Sequence, residues 1–234
     1  MAGRGGIVRK ANLGVKKIWD PSVLSDRDKS LTQYDGRVAR LSADLVWVEA
    51  VEPMHQDIDS KKSCGIGPGL MFARSLPGSE QIGLIPCAVG GTKISEWSRS
   101  SPLYQSMISR ARFAGTKMEA LLWYQGESDC AELEDAKAYL KRLQEFVQNV
   151  REDLQDSTLV IIMVAVWAEN IRQTLPFAED FVRPAILSMS QTDSRIGVVD
   201  AKGLAFLDDN IHLTTESQLI LASALLQEYQ KLHT

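Results

Sequence analysis

The sequence predicts an α/β fold, a parallel sheet with helices on both faces. Three observations carry that expectation. Short apolar runs with strand character recur at residues 82–86, 120–124, 159–166 and 196–200. Segments of helical period separate them, and the clearest is 132–154. There Leu133, Ala136, Leu140, Leu143, Phe146, Val147 and Val150 return every three or four positions, which gives a helix one apolar face. The run 159–166 is continuous and rich in β-branched residues, as a strand covered on both faces must be.

The remaining elements follow in order. The first third reads as irregular, with Gly3, Gly5 and Gly6 at the start and turn signals at Asp20-Pro21 and Tyr34-Asp35-Gly36. Residues 38–51 alternate loosely and predict a short strand or hairpin, with Leu41, Leu45 and Trp47 as apolar anchors. Residues 52–67 are a polar loop. Pro68 suits the first turn of a helix reaching about Leu76. Helices are expected over 103–113 and 181–190. A last one spans 215–232, with Thr215 and Gln218 placed for a capping box. No internal repeat or linker interrupts the pattern, so 1–234 reads as one domain.

Composition narrows the function classes. Hydrophobic residues at 44% and charged residues at 24% are ordinary for a folded chain. Thirty acids against 26 bases give a net charge of −4, with no basic excess to attract phosphate backbones, so no nucleic-acid partner is expected. No apolar run reaches membrane-spanning length, and residues 1–6 have no signal-peptide core. The expectation is a chain without a membrane partner, cytoplasmic as given. Cys64, Cys87 and Cys130 are odd in number and widely spaced, which favours reduced thiols over a disulfide framework or a metal pair.

In open parallel sheets, ligands lie outside the carboxyl ends of the strands, so the loops there are the places to look. After the run at 82–86 comes Cys87-Ala-Val-Gly90-Gly91-Thr92, followed by Glu96-Trp97. Paired glycines let backbone N–H groups approach an oxyanion, and they equally make a tight turn. After the run at 120–124 comes Gln125-Gly-Glu127-Ser128-Asp129. Its Gln amide is a possible oxyanion donor, and its acids and serine would equally cap the next helix. Before the last helix lies Asp208-Asp209-Asn-Ile-His212. A carboxylate three residues from a histidine can take its Nδ1–H and leave Nε2 as a base; the alternative is a solvated turn. Asp208, Asp209 and His212 have no further ligand at a recognisable spacing, so no metal is expected.

Together these loops resemble the SGNH-hydrolase superfamily. They most resemble its sialate O-acetylesterase-like group, carbohydrate esterase family 6, which includes plant carbohydrate esterases. The matching stretches are Met1-Ala-Gly-Arg-Gly-Gly6, Gly65-Ile-Gly-Pro-Gly-Leu70, Pro86-Cys-Ala-Val-Gly-Gly-Thr92, Trp123-Tyr-Gln-Gly-Glu-Ser-Asp129 and Asp209-Asn-Ile-His-Leu-Thr214. The resemblance implies a three-layer, flavodoxin-like α/β/α fold and a serine esterase that removes acetyl groups from carbohydrate without a cofactor. It makes His212 the general base and Asp209 its orienting acid. Gly91 or Gly90 becomes an oxyanion N–H donor, Gln125 a side-chain donor, and Glu127, Trp97 and Arg4 shape the pocket or hold loops.

The family's nucleophile lies in Gly-Gln-Ser-Asn-Met-Ala-Gly-Arg-Gly, and this sequence begins at the Met of that stretch. The expectation is therefore a domain incomplete at its N-terminus, from an incomplete gene model or a splice product. Its nucleophile and first strand would precede residue 1, leaving two strands without partners. Ser128 is half of a G-x-S-x-G elbow and lacks the second glycine, so it is not expected to substitute. As written the chain should then be inactive. The alternative reading is a catalytically dead carbohydrate-binding or regulatory protein that keeps the fold.

Overall fold

The structure, a computed structural model, describes residues 3–10 and 16–234. It divides into two compact units. The first is Met1–Gly90 with Ala205–Leu226, and the second is Gly91–Leu204 with Gln227–Thr234.

The first unit opens with a hairpin that the sequence pattern does not show. β1 (Ile7–Lys10) pairs antiparallel with β2 (Lys16–Trp19), with Arg9 opposite Lys17. Strands of four residues are too short for an alternation signal to rise above background. A short helix, α1 (Asp26–Lys29), follows, capped by Ser25 through the Asp28 N–H. β3 (Val38–Leu41) then pairs antiparallel with β4 (Trp47–Glu49) and parallel with β5 (Ile82–Leu84), in the order β4-β3-β5. The hairpin expected at 38–51 is present. Of its three expected anchors only Leu41 is buried; Leu45 and Trp47 are 38% and 41% exposed. β4 is an edge strand, so its side chains have cover on few sides. The Trp47 ring lies over Gly83, where an added Cβ would come within 2.7 Å of it.

α2 (Gly69–Arg74) is one turn and a half rather than a helix to Leu76. It contributes Leu70 and Ala73 to a core with Leu24, Leu31, Val38, Met54, Ile66 and Leu219, against which Trp19 packs.

The second unit is a fully parallel sheet in the order β6-β7-β8, from β6 (Ala120–Trp123), β7 (Val160–Ala165) and β8 (Ile196–Asp200). All six residues of β7 are buried, as its composition predicts. Its helices are α3 (Pro102–Phe113), α4 (Leu133–Asp153), the short α5 (Ile171–Thr174) and α6 (Arg183–Thr192). α4 buries Ala136, Leu143, Phe146, Val147 and Val150 of the expected stripe, with Tyr139 added to it; Leu133 and Leu140, at the margins of that face, are 36% and 37% exposed. Trp123 stacks on Phe146 with centroids 4.2 Å apart and meets Trp97 edge-on at 5.4 Å. β5 and β6 each pair on one side only among the described residues.

Two helix starts differ from expectation. Before α6 the chain makes a π-helical turn, Ala178–Val182, closed by the Val182 N–H to Phe177 O. Pro184 has no N–H to complete an α-helical turn at this point, so the wider turn precedes it. α7 (Thr215–Leu232) is capped by Thr214, whose Oγ1 accepts from the Ser217 N–H at 3.2 Å. The box expected from Thr215 and Gln218 is not formed: Gln218 is 1% exposed, and its amide is unbonded among the described residues.

The carboxyl ends of β7 and β8 are tied together by Arg183. Its guanidinium donates to Val166 O at 2.8 Å and Ala165 O at 3.3 Å, and bidentately to Asp200 at 2.9 and 2.8 Å. It also lies 4.8 Å from the Trp167 ring centroid. Arg183→Met should lower unfolding stability by about 2–3 kcal/mol in urea titrations, because the Val166 carbonyl loses its donor and Asp200 its bidentate partner, while Ala165 O keeps the Ala201 N–H. No helix among the described residues is long and apolar enough to cross a membrane.

Candidate active site

In the first unit, the loop ahead of α7 is folded back on itself. Phe206 and Leu213 form an antiparallel bridge, the Leu207 N–H donates to His212 O at 2.7 Å, and the Thr214 N–H donates to Ala205 O at 3.1 Å. Asn210 takes φ +61° at the apex, a conformation asparagine tolerates better than most residues. Asp209 Oδ1 accepts from the N–H groups of Ile211 (3.2 Å) and His212 (2.9 Å), fixing the turn. Its Oδ2 accepts from His212 Nδ1 at 2.8 Å. A carboxylate can only accept, so the ring carries its proton on Nδ1 and presents Nε2 as a lone pair.

The same Oδ2 takes the ammonium of Lys17 at 2.6 Å. Burial alone would raise the Asp209 carboxyl. The hydrogen bonds from Lys17 and from the backbone and ring of His212 outweigh it and hold the group far below the usual carboxylate range. Burial also lowers His212. Asp209 opposes that, and the charges of Arg4 and Lys17 add to it.

Arg4 is 7% exposed and holds loops together. It donates to Gly3 O at 3.2 Å and pairs with Asp59 Oδ2 at 3.5 Å. The same Asp59 oxygen accepts the Gly90 N–H at 3.0 Å. A Cβ on Gly90 would lie 2.6 Å from the Arg4 guanidinium, so a larger residue there must push that side chain aside. The N-terminal motif meets the Gly65–Leu70 motif directly: Gly5 N donates to Ile66 O, and Gly65 N to Gly3 O. Glu52, buried and pushed up to about 7 by that burial, accepts from Gly67 N at 3.2 Å and Met54 N at 2.8 Å, holding this loop from beneath.

In the second unit, Gly91 is exposed with φ +75° at the start of a loop that the side chains of the Gln125 motif hold. Gln125 Nε2 donates to Thr92 O at 3.0 Å and to Asp129 Oδ2 at 2.6 Å. Two acceptors on Nε2 fix the amide orientation, and the Tyr139 hydroxyl lies 3.0 Å from Gln125 O and 3.2 Å from its Oε1. Asp129 is fully buried and also accepts the Ile94 N–H. Burial lifts its carboxyl to about 6, against the hydrogen bonds from Gln125 and Ile94. Helix capping is not the task of this motif: Glu127–Cys130 forms a separate 3₁₀ turn, and α4 starts after Glu132 without a side-chain cap. Trp97 is 3% exposed and donates to Thr92 Oγ1 at 3.0 Å, so it braces the loop from inside. Glu127 is half-buried; its Oε1 has no partner among the described residues, and burial raises its carboxyl.

The structure thus joins Asp209 to His212, Arg4 to Gly90, and Gln125 to the loop that begins at Gly91. Lys17, Asp59 and Tyr139 are contributors that sequence reading misses. Nothing in a motif points to a lysine 192 positions away from its partner. Among the described residues no group of three or more His, Cys, Asp or Glu is arranged to hold a metal ion, and the three cysteines are free thiols.

The model of a family described as carbohydrate esterase, sialic acid-specific acetylesterase, matches residues 1–231. A probable carbohydrate esterase of Arabidopsis thaliana is 41% identical over 237 residues, covering 98% of this chain and 86% of that protein. A crystal structure of an Arabidopsis thaliana protein superposes with a TM-score of 0.87 at 40% identity, over 99% of this chain and 93% of that one. More distant structures share the fold. NanS has a TM-score of 0.69 at 15% identity, over 87% of this chain and 90% of its own. A carbohydrate acetylesterase from Xanthomonas citri has 0.68 at 17%, over 92% and 53%. With that family model spanning residues 1–231 and a relative 41% identical over nearly the whole chain, the chain belongs to the sialate O-acetylesterase-like family of carbohydrate esterases.

Proposed function

We propose that His212 is the general base of a serine carbohydrate O-acetylesterase, and that residues 1–234 alone do not turn over ester because they hold no serine at the nucleophile position of the motif. The observation that carries this is the 2.8 Å contact from Asp209 to His212 Nδ1, which in the neutral ring places the proton on Nδ1 and the lone pair on Nε2. In the reaction Nε2 takes the proton of a serine hydroxyl as its oxygen attacks the acetyl carbonyl. The sugar oxygen leaves with that proton, giving an acetyl-serine, and water repeats the sequence to release acetate. Gly91 is the backbone oxyanion donor of the glycine pair, since Asp59 holds the Gly90 N–H. By resemblance to the family, Gln125 is the side-chain oxyanion donor; its Nε2 is held by Thr92 O. The substrate is an acetylated carbohydrate or another small ester, and no cofactor takes part.

The test is hydrolysis of p-nitrophenyl acetate. Residues 1–234 should be no faster than their His212→Ala variant. A chain carrying, ahead of residue 1, a strand ending in Gly-Gln-Ser-Asn should turn over and lose on the order of 10⁶-fold with His212→Ala. If that longer chain folds and stays inactive, the protein is a binding module on an esterase fold. Turnover by residues 1–234 that disappears with Ser128→Ala would instead make Ser128 the nucleophile.

A further inference from the structure

The carboxylate that orients His212 has a second cation on it. Asp209 Oδ2 lies 2.6 Å from Lys17 Nζ and 2.8 Å from His212 Nδ1, so one oxygen serves both. Oδ1 is occupied by two backbone N–H groups, which leaves the carboxylate no freedom to offer each cation its own oxygen. Lys17 is not a loosely hanging surface group. Its backbone is fixed by the β1–β2 register, where it faces Arg9, and its carbonyl accepts the Ser63 hydroxyl at 2.6 Å. The side chains of Asp209 and His212 are 15% and 26% exposed, so the pair is only partly screened by water.

We propose that Lys17 is a positioning residue of the pair: by sharing Asp209 Oδ2 with the ring, it locks the carboxylate rotamer and neutralises part of its charge, so that the imidazole stays an unprotonated base further into the acid range. This rests on the reading of His212 as the general base.

The physical argument is one of charge. An ordinary aspartate beside a histidine favours the imidazolium and raises the pH at which the ring loses its proton. An ammonium on the same oxygen cancels much of that attraction and adds repulsion of its own. The charged groups facing His212 among the described residues are Asp209 on its own loop, Lys17 on β2 and Arg4 on the N-terminal segment. Arg4 is already balanced by Asp59 at 3.5 Å. Lys17 is the cation bonded directly to the orienting acid. It is 43% exposed, so solvent screens its effect, which is expected to be moderate.

The experiment is an NMR titration of the histidine Cε1–Hε1 signals of residues 1–234 between pH 4 and 8. Three histidines are present, and His212→Asn identifies the signal of interest. Lys17→Met and Lys17→Gln should raise the His212 midpoint by about 0.5–1 pH unit, and Lys17→Arg should stay within about 0.2 unit of the parent. The other two histidines should not move. A His212 midpoint unchanged or lowered in both neutral variants, with the remaining signals those of a folded chain, overturns the proposal. If the methionine variant does not fold, the glutamine and arginine variants decide between the same outcomes. The esterase reading is tested separately, since a serine-bearing chain that stays inactive would leave this titration result standing.

Discussion

Asp209→Asn is expected to move the proton of His212 from Nδ1 to Nε2. In the serine-bearing chain it should lower kcat/KM by on the order of 10⁴-fold, with the fold intact. The asparagine oxygen can still take the backbone N–H groups of Ile211 and His212, which now bond to Oδ1. Its amide nitrogen then occupies the place of Oδ2, opposite His212 Nδ1 and Lys17 Nζ. An N–H facing Nδ1 makes that nitrogen the acceptor, so the ring proton moves to Nε2, the atom that must receive the serine proton. The tautomer is readable from the imidazole ¹⁵N shifts in residues 1–234, without any turnover. A ring that keeps its proton on Nδ1, or a serine-bearing variant that retains activity within tenfold, would show that Asp209 does not orient the base.

The sequence is most legible where one physical requirement governs a whole segment. β7 is buried on both faces, so each of its residues must be apolar, and the run declares itself. α4 packs one face, and its stripe repeats at three- and four-residue steps over 21 residues. The Asp209–His212 pair is legible because both partners lie in one turn and share its geometry. Leu45 and Trp47 show where the same logic stops. An alternating pattern says that a strand exists but not where its turn falls or whether it lies at a sheet edge: Leu45 sits in the turn before β4 with φ +60°, and Trp47 lies on the edge strand.

The Gln125 motif is legible as a constrained loop and illegible in its wiring. A dense polar stretch after a buried strand signals a constrained loop. It does not say that Asp129 turns inward to meet Ile94 and Gln125, because that depends on where the 3₁₀ turn Glu127–Cys130 places its side chains. Lys17 and Asp59 are further removed. Each joins its partner only after distant segments pack, and a single charged residue carries no local signal of that.

Asp129 gives the largest stability effect expected outside the hydrophobic core. It is fully buried and is the acceptor at which the Ile94 N–H, the Gln125 amide and hence the loop after Gly91 converge. Asp129→Ala leaves two buried donors unpaired at about 1–3 kcal/mol each, so unfolding free energy should fall by about 2–6 kcal/mol in urea titrations at pH 7. Asp129→Asn should cost less, since one oxygen remains to accept while its NH₂ faces another donor. The pH dependence has a definite sign. Burial raises the folded-state carboxyl from its usual 3.8 to about 6, so the folded chain binds a proton that the unfolded chain has released between those values. The stability contributed by this linkage is fully present below about pH 4 and is lost as pH rises through 6. The gap between the parent chain and Asp129→Asn should therefore be widest near pH 4 and narrow towards pH 8. A gap that widens with pH would mean that the carboxylate is held charged in the folded chain, with its bonds to Gln125 and Ile94 outweighing burial.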